Sequence, residues 1–108
     1  MSVITVAELA MWRKQGFECS LLDVRRESAR RADGGEIEGS LWLDPSLWLD
    51  WKDGVSKERP AIVYCAHGHE ISQGLTAALR AMGIDARHLD GGMSAWKAAG
   101  QGVRGLRR

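Results

Sequence analysis

The chain has 108 residues, enough for one domain with a real core and too few for two. Its 15 Lys and Arg nearly balance 14 Asp and Glu, leaving a formal charge of +1, so no global field points to nucleic acid or to an anionic membrane. No apolar stretch approaches the roughly 20 residues of a membrane helix, no basic leader precedes a long apolar run, and only Cys19 and Cys65 are available for a disulfide, so a soluble protein of a reduced, cytoplasmic compartment is expected.

In chain order, Val3-Ile4-Thr5 reads as a short first strand, and Val6 to Gln15 as an amphipathic helix stopped by Gly16. Ser20-Leu21-Leu22-Asp23-Val24-Arg25 is a run with an apolar centre, which suits a strand buried on both faces of a parallel sheet, with Cys19 at its start as a core residue. Asp23 is the exception within it. A buried carboxylate needs partners, so Asp23 is placed at the strand's C-terminal end, bonding loop amides. Glu27 to Ala32 has helical composition, and Arg25, Arg26, Arg30 and Arg31 cluster around it. Glu27 and Asp33 dilute this basic patch and no aromatic residue interrupts it, so it reads as a solvated face with local ion pairs.

Asp33-Gly34-Gly35 is a turn signal, and Glu36 to Ser40 leads into a third strand at Leu41-Trp42-Leu43. Pro45 opens a short helix on which Trp48 and Trp51 form one apolar face. After the Pro60 breaker, Ala61-Ile62-Val63-Tyr64 is a β-favouring strand, and Gln73 to Met82 carries apolar residues at helical spacing up to Gly83. Ala86 to Leu89 is a fifth strand and Met93 to Ala99 a closing helix around Trp96. The glycine-rich, basic tail from residue 101 to 108 is expected to fray. Strands alternating with short helices make an α/β domain with a mainly parallel sheet.

Cys65 therefore sits where a buried strand hands over to a helix, the place where open α/β sheets put their chemistry. A six-residue loop entering a helix aims successive backbone N–H groups into one small space, and the helix N-terminus adds partial positive charge. A cysteine at the first position of that loop is held as thiolate, its nucleophilic form. A zinc site at Cys65, His67 and His69 is not expected, because alternate residues of a tight loop rarely face one centre and His88 is the only other histidine.

Four pieces of the chain, in order, carry a family resemblance: Leu21-Leu22-Asp23-Val24-Arg25; Ile37-Glu38-Gly39-Ser40; Ile62-Val63-Tyr64-Cys65 with Gly68; and Leu89-Asp90-Gly91-Gly92-Met93-Ser94-Ala95-Trp96. Together they resemble the single-domain rhodaneses over nearly the whole chain. The resemblance implies a rhodanese-like α/β fold, a five-stranded parallel sheet with helices on both faces. It also implies a sulfurtransferase without cofactor or metal, in which Cys65 takes sulfane sulfur from a small donor such as thiosulfate, becomes a persulfide, and passes the sulfur to a thiol, to cyanide or to a protein acceptor. Ala66, His67, Gly68, His69, Glu70 and Ile71 fall on the substrate-binding loop, and Asp23 and Arg25 on supporting positions beside it. The alternative is a non-catalytic binding or sensing module on the same fold.

The chain departs from the family pattern in its loop charges. Ala66 and Glu70 stand where many rhodaneses carry arginines, and Glu36 where a histidine is usual. An arginine fork is the natural clamp for an oxyanion, and a carboxylate facing the site repels one. Glu70 thus has two readings: a solvent-facing residue favoured at a helix start, or a charge that tunes the site toward a neutral or cationic partner. Ile71 matches the position where cysteine phosphatases of this architecture need an arginine, which argues against phosphate-ester chemistry.

Overall fold

In the computed structural model, which describes residues 2–106, strands and short helices follow one another along the chain. Strand β1 (Val3–Ile4) passes directly into helix α1 (Val6–Lys14). Thr5 makes the junction sharp: its hydroxyl accepts from the Glu8 amide at 3.1 Å, and the Glu8 carboxylate accepts from the Thr5 N–H at 2.9 Å. This reciprocal capping box satisfies two N–H groups that a helix start leaves without partners. Then follow β2 (Ser20–Asp23), α2 (Glu27–Asp33), β3 (Gly35–Ile37), β4 (Leu41–Trp42) and α3 (Trp48–Trp51), the last flanked by 3-10 turns at Pro45–Leu47 and Lys52–Gly54. The second half comprises β5 (Ala61–Tyr64), α4 (Glu70–Ala81), β6 (Ala86–Leu89), α5 (Gly92–Ala98) and β7 (Val103–Gly105).

Five strands form one parallel sheet in the order β1-β6-β5-β2-β4. Helices cover both faces, and the period-2 alternation of β5 shows how. Ile62 and Tyr64 pack into one core with Leu9, Met93 and Trp96, while Ala61, Val63 and Cys65 pack into the other with Leu79 and Ile84. Burial on both sides explains why the central strands read as continuous apolar runs. The register pairs Leu22 with Val63 and Asp23 with Tyr64, so β2 and β5 end side by side with Cys65 one step beyond. Trp48 and Trp51 meet edge to face, with centroids 4.9 Å apart, against the second core.

Two expectations are corrected. The tail does not fray from residue 101: Val103–Gly105 pairs antiparallel with Gly35–Ile37 in a separate two-stranded sheet, so Gly35 belongs to a strand and not to a turn. Arg104 anchors this strand through a 2.7 Å bond to Glu36, which Arg30 also holds at 2.8 Å. Arg107 and Arg108 lie outside the described residues. The arginine cluster is likewise not one solvated face. Arg25 is 1% exposed and Arg30 lies over the Trp42 ring, whereas Arg26 and Arg31 face solvent. Among the described residues no helix is long and apolar enough to cross a membrane.

Candidate active site

The chain leaves β5 at Tyr64, turns through residues 65–69 and enters α4 at Glu70. The loop is braced from behind by the start of α5, whose Met93 and Ser94 amides donate to the carbonyls of Cys65 and Ala66, each at 2.9 Å. This contact requires glycines. A Cβ at Gly68 would stand 2.7 Å from the Gly91 nitrogen, and one at Gly92 would stand 2.6 Å from the Gly68 nitrogen and overlap the Cys65 carbonyl oxygen. Both positions also have positive φ, 73° at Gly68 and 58° at Gly92, which glycine adopts without strain. The glycine pair thus exists so that two backbone segments can touch. Gln73 closes the other side by donating to the Gly68 carbonyl at 2.8 Å.

The loop cradles the sulfur of Cys65, a residue only 5% exposed. Burial pushes its thiol up, but the Ser72 hydroxyl and the backbone N–H groups of Ser72, His67 and Gly68 outweigh it and hold the thiol below its ordinary value. Ser72 Oγ lies 3.2 Å from Cys65 Sγ and is itself fully buried. It comes from the inward stripe of α4 that includes Thr76 and Leu79. Sequence reasoning does not assign it to the site, although a serine on the inward face of the helix that follows the loop is a signal for such a role. The donors that hold the thiol low include no arginine.

Behind the loop, Asp23 and Arg25 form a fully buried pair. Asp23 Oδ2 accepts from Arg25 Nη2 at 2.7 Å, and Oδ1 accepts from the Arg25 backbone N–H at 3.1 Å and from Nε at 3.0 Å. Arg25 Nη2 also donates to the Gly35 carbonyl at 2.7 Å. Burial works against the guanidinium, and the bonds and charge of Asp23 overcome it, so its pKa is raised. The neighbouring Tyr64 hydroxyl is pushed up to about 12, chiefly by burial and then by the Asp23 charge. It joins the second sequence motif to the site by accepting from the Ile37 amide at 3.2 Å and sharing a 3.0 Å bond with Ser40.

The family model of the rhodanese-like domain matches residues 5–99. The chain belongs to the rhodanese-like family. The probable adenylyltransferase/sulfurtransferase MoeZ of Mycobacterium tuberculosis is 35% identical over 98 residues, which are 88% of this chain and 24% of that protein. The chain thus spans about a quarter of the length of the curated relatives it matches. A rhodanese-like domain protein from Staphylococcus aureus superposes with a TM-score of 0.83 at 27% identity, covering 99% of this chain and 100% of that one. A rhodanese-related protein from Thermoplasma volcanium gives a TM-score of 0.83 at 24% identity, covering 96% and 98%.

In this rhodanese-like domain the loop borders a cavity of about 390 Å³, and the predicted site residues distribute around it unevenly. Cys65, Ala66, His67, His69, Glu70 and Ile71 all line it, as does Arg25. Gly68 does not; it is buried against the Gly91–Gly92 backbone. Asp23 is also absent from the lining; its carboxylate holds Arg25, which is part of it. His67 Nδ1 lies 2.9 Å from Ser94 Oγ, which fixes its ring at the edge of the loop, and the His69 ring stands 6.2 Å away, centroid to centroid. Arg26 and Ala29 of the α2 region complete the wall, two residues that sequence reasoning did not assign to the site. Glu36 lies elsewhere: burial pushes its carboxyl up, and its bonds to Arg104 and Arg30 outweigh that and hold it low. Among the described residues no three His, Cys, Asp or Glu side chains converge to hold a metal ion.

Proposed function

We propose that the protein is a sulfurtransferase that carries sulfane sulfur on Cys65. The observation that carries this reading is the cradle: a nearly enclosed thiol held below its ordinary pKa by a buried hydroxyl and three backbone amides. The Cys65 thiolate attacks the outer sulfur of a donor, a new S–S bond forms at Cys65, and the donor's own S–S bond breaks with its electron pair leaving on the donor fragment. With thiosulfate that fragment is sulfite, and with an organic persulfide it is the thiolate, so no external oxidant or reductant enters. The same amides then face the charge of the terminal persulfide sulfur, one atom farther out. A thiol, cyanide or a protein thiol acceptor removes that sulfur and restores Cys65. The family membership and the partial relative named a sulfurtransferase agree with this chemistry.

The test is intact mass after incubation with a sulfane-sulfur donor. The expected result is one added sulfur on the wild type and on Cys19→Ser, and none on Cys65→Ser, whose hydroxyl has no accessible anion at neutral pH. A wild type of unchanged mass with every donor would instead support a binding or sensing module.

A further inference from the structure

His67 offers the site two different groups. Its backbone N–H is turned inward to the Cys65 sulfur, while its imidazole stands exposed at the rim of the loop. That ring divides two cavities: it lines the Cys65 cavity on one side and, on the other, a cavity of about 430 Å³ between α2 and α5, to which Ser94 also belongs. Nδ1 lies 2.9 Å from Ser94 Oγ. Ser94 is a firm anchor, since its own N–H donates to the Ala66 carbonyl of the same loop. With Nδ1 engaged, Nε2 is the ring nitrogen left for chemistry, and among the described residues it has no hydrogen-bond partner. Imidazole is also the side chain whose ordinary titration falls near neutral pH. The other charged groups around these cavities offer no such base. Arg25, Arg26 and Lys97 are cations without a free lone pair, Asp33 is bonded to Lys97, and Glu70 is a carboxylate, a class too weakly basic for a thiol at neutral pH. His69 lines the Cys65 cavity as well, but among the described residues no hydrogen bond fixes its ring.

We propose that His67 takes the proton of a thiol acceptor in the second half of the reaction, with Ser94 as the positioning residue that holds its ring. This rests on the sulfur-transfer reading of Cys65 and adds the group that activates the acceptor. An alkyl thiol, with an ordinary pKa of about 8.5, keeps its proton at neutral pH. Its thiolate is moreover repelled by the negative persulfide that the cradle favours. The acceptor therefore enters neutral, as R–SH, and ionises only beside the persulfide. In the transfer step Nδ1–H donates to Ser94 Oγ and Nε2 takes the thiol proton. R–S⁻ bonds to the outer sulfur of Cys65–S–S⁻, and the S–S bond at Cys65 breaks with its electron pair returning to Sγ. The products are R–S–S⁻, the Cys65 thiolate and an imidazolium, which passes its proton to solvent at the rim. Atoms and charge balance with no further reactant.

The experiment isolates this step: Cys65 is loaded with sulfur, the donor is removed, and loss of the added sulfur to an acceptor is followed by intact mass. For each protein the rate constant with β-mercaptoethanol, a thiol mostly protonated at neutral pH, is divided by that with sulfite, which has no thiol proton to lose, so that any general effect of a substitution divides out. His67→Gln should lower this ratio by roughly a hundredfold, the lower end of the range for a general base. Ser94→Ala should lower it by roughly tenfold, the scale of one hydrogen bond, and Ser94→Thr should restore it because a hydroxyl again meets Nδ1. With thionitrobenzoate, already a thiolate at neutral pH, His67→Gln should not lower the corresponding ratio. A ratio unmoved in His67→Gln, a fall that is equal for thionitrobenzoate, or a fall in His69→Gln alone would each overturn the base, and a ratio unmoved in Ser94→Ala would overturn the anchored ring. In all of these cases the loading of Cys65 leaves sulfur transfer standing. If no donor adds sulfur to wild-type Cys65, the sulfur-transfer reading falls and this one with it.

Discussion

Replacing Ser72 by alanine isolates the balance that poises Cys65. Burial is the largest influence on this thiol and acts to keep it protonated; the Ser72 hydroxyl, 3.2 Å from the sulfur, is the largest of those that oppose it. A hydrogen bond to a charged group contributes about 1.5–3 kcal/mol, and 1.36 kcal/mol corresponds to one decade in protonation equilibrium. Ser72→Ala should therefore shift the protonation equilibrium roughly tenfold or more toward the thiol, because the three backbone amides remain but the side-chain donor is gone. The assay is the rate of alkylation by iodoacetamide as a function of pH. Its midpoint should move upward in Ser72→Ala, return in Ser72→Thr, and leave the high-pH plateau little changed, since a more basic thiolate is only moderately more nucleophilic. Sulfur uptake at neutral pH should fall in parallel. A midpoint that stays put or moves down in Ser72→Ala would refute the claim that the hydroxyl holds the charge.

Gly92→Ala places a methyl group on the Cys65 carbonyl at a φ of 58° and should cost about 3 kcal/mol or more, whereas Gly100→Ala, with a φ of 74° and nothing within 4 Å, should cost only the left-handed strain of about 1–2 kcal/mol. Equal denaturation midpoints for the two variants would show that the α5 contact does not hold the loop. Glu36, whose carboxyl the two arginines hold low, stabilises the β3–β7 pair at pH values above the ordinary glutamate range near 4.3, and that contribution is lost as pH falls through the lowered value. Glu36→Gln should destabilise the protein by about 2 kcal/mol at neutral pH and remove this acid dependence, read as amide exchange of Leu106, whose N–H donates to the Gly34 carbonyl at 3.2 Å beside the strand pair; persistence of the dependence in Glu36→Gln would assign it to another group.

The strand from Ala61 to Tyr64, its handover to a helix at Cys65 and the stop at Gly83 were legible in the sequence, because each depends on residues within a few positions of one another: an apolar β-branched run, a loop, a helical repeat, a glycine. The resemblance carried further, to the parallel sheet and the rhodanese-like family, since its four motifs are spaced along the chain in the order the fold uses them. What escaped were pairings between distant segments. Gly35 looked like part of a turn and residues 101–106 like a loose end because each strand forms only against the other, with Glu36 and Arg104 lying 68 positions apart. Arg25 looked solvated because nothing in its local composition reveals that Asp23 and the Gly35 carbonyl will enclose it. Ser72 became part of the sulfur cradle only when the inward face of α4 packed beneath the loop. Local chemistry set where a reactive cysteine could stand. Long-range burial decided which groups surround it, because removing water from a polar atom forces it to find a partner, and that partner comes from whichever segment the fold brings there.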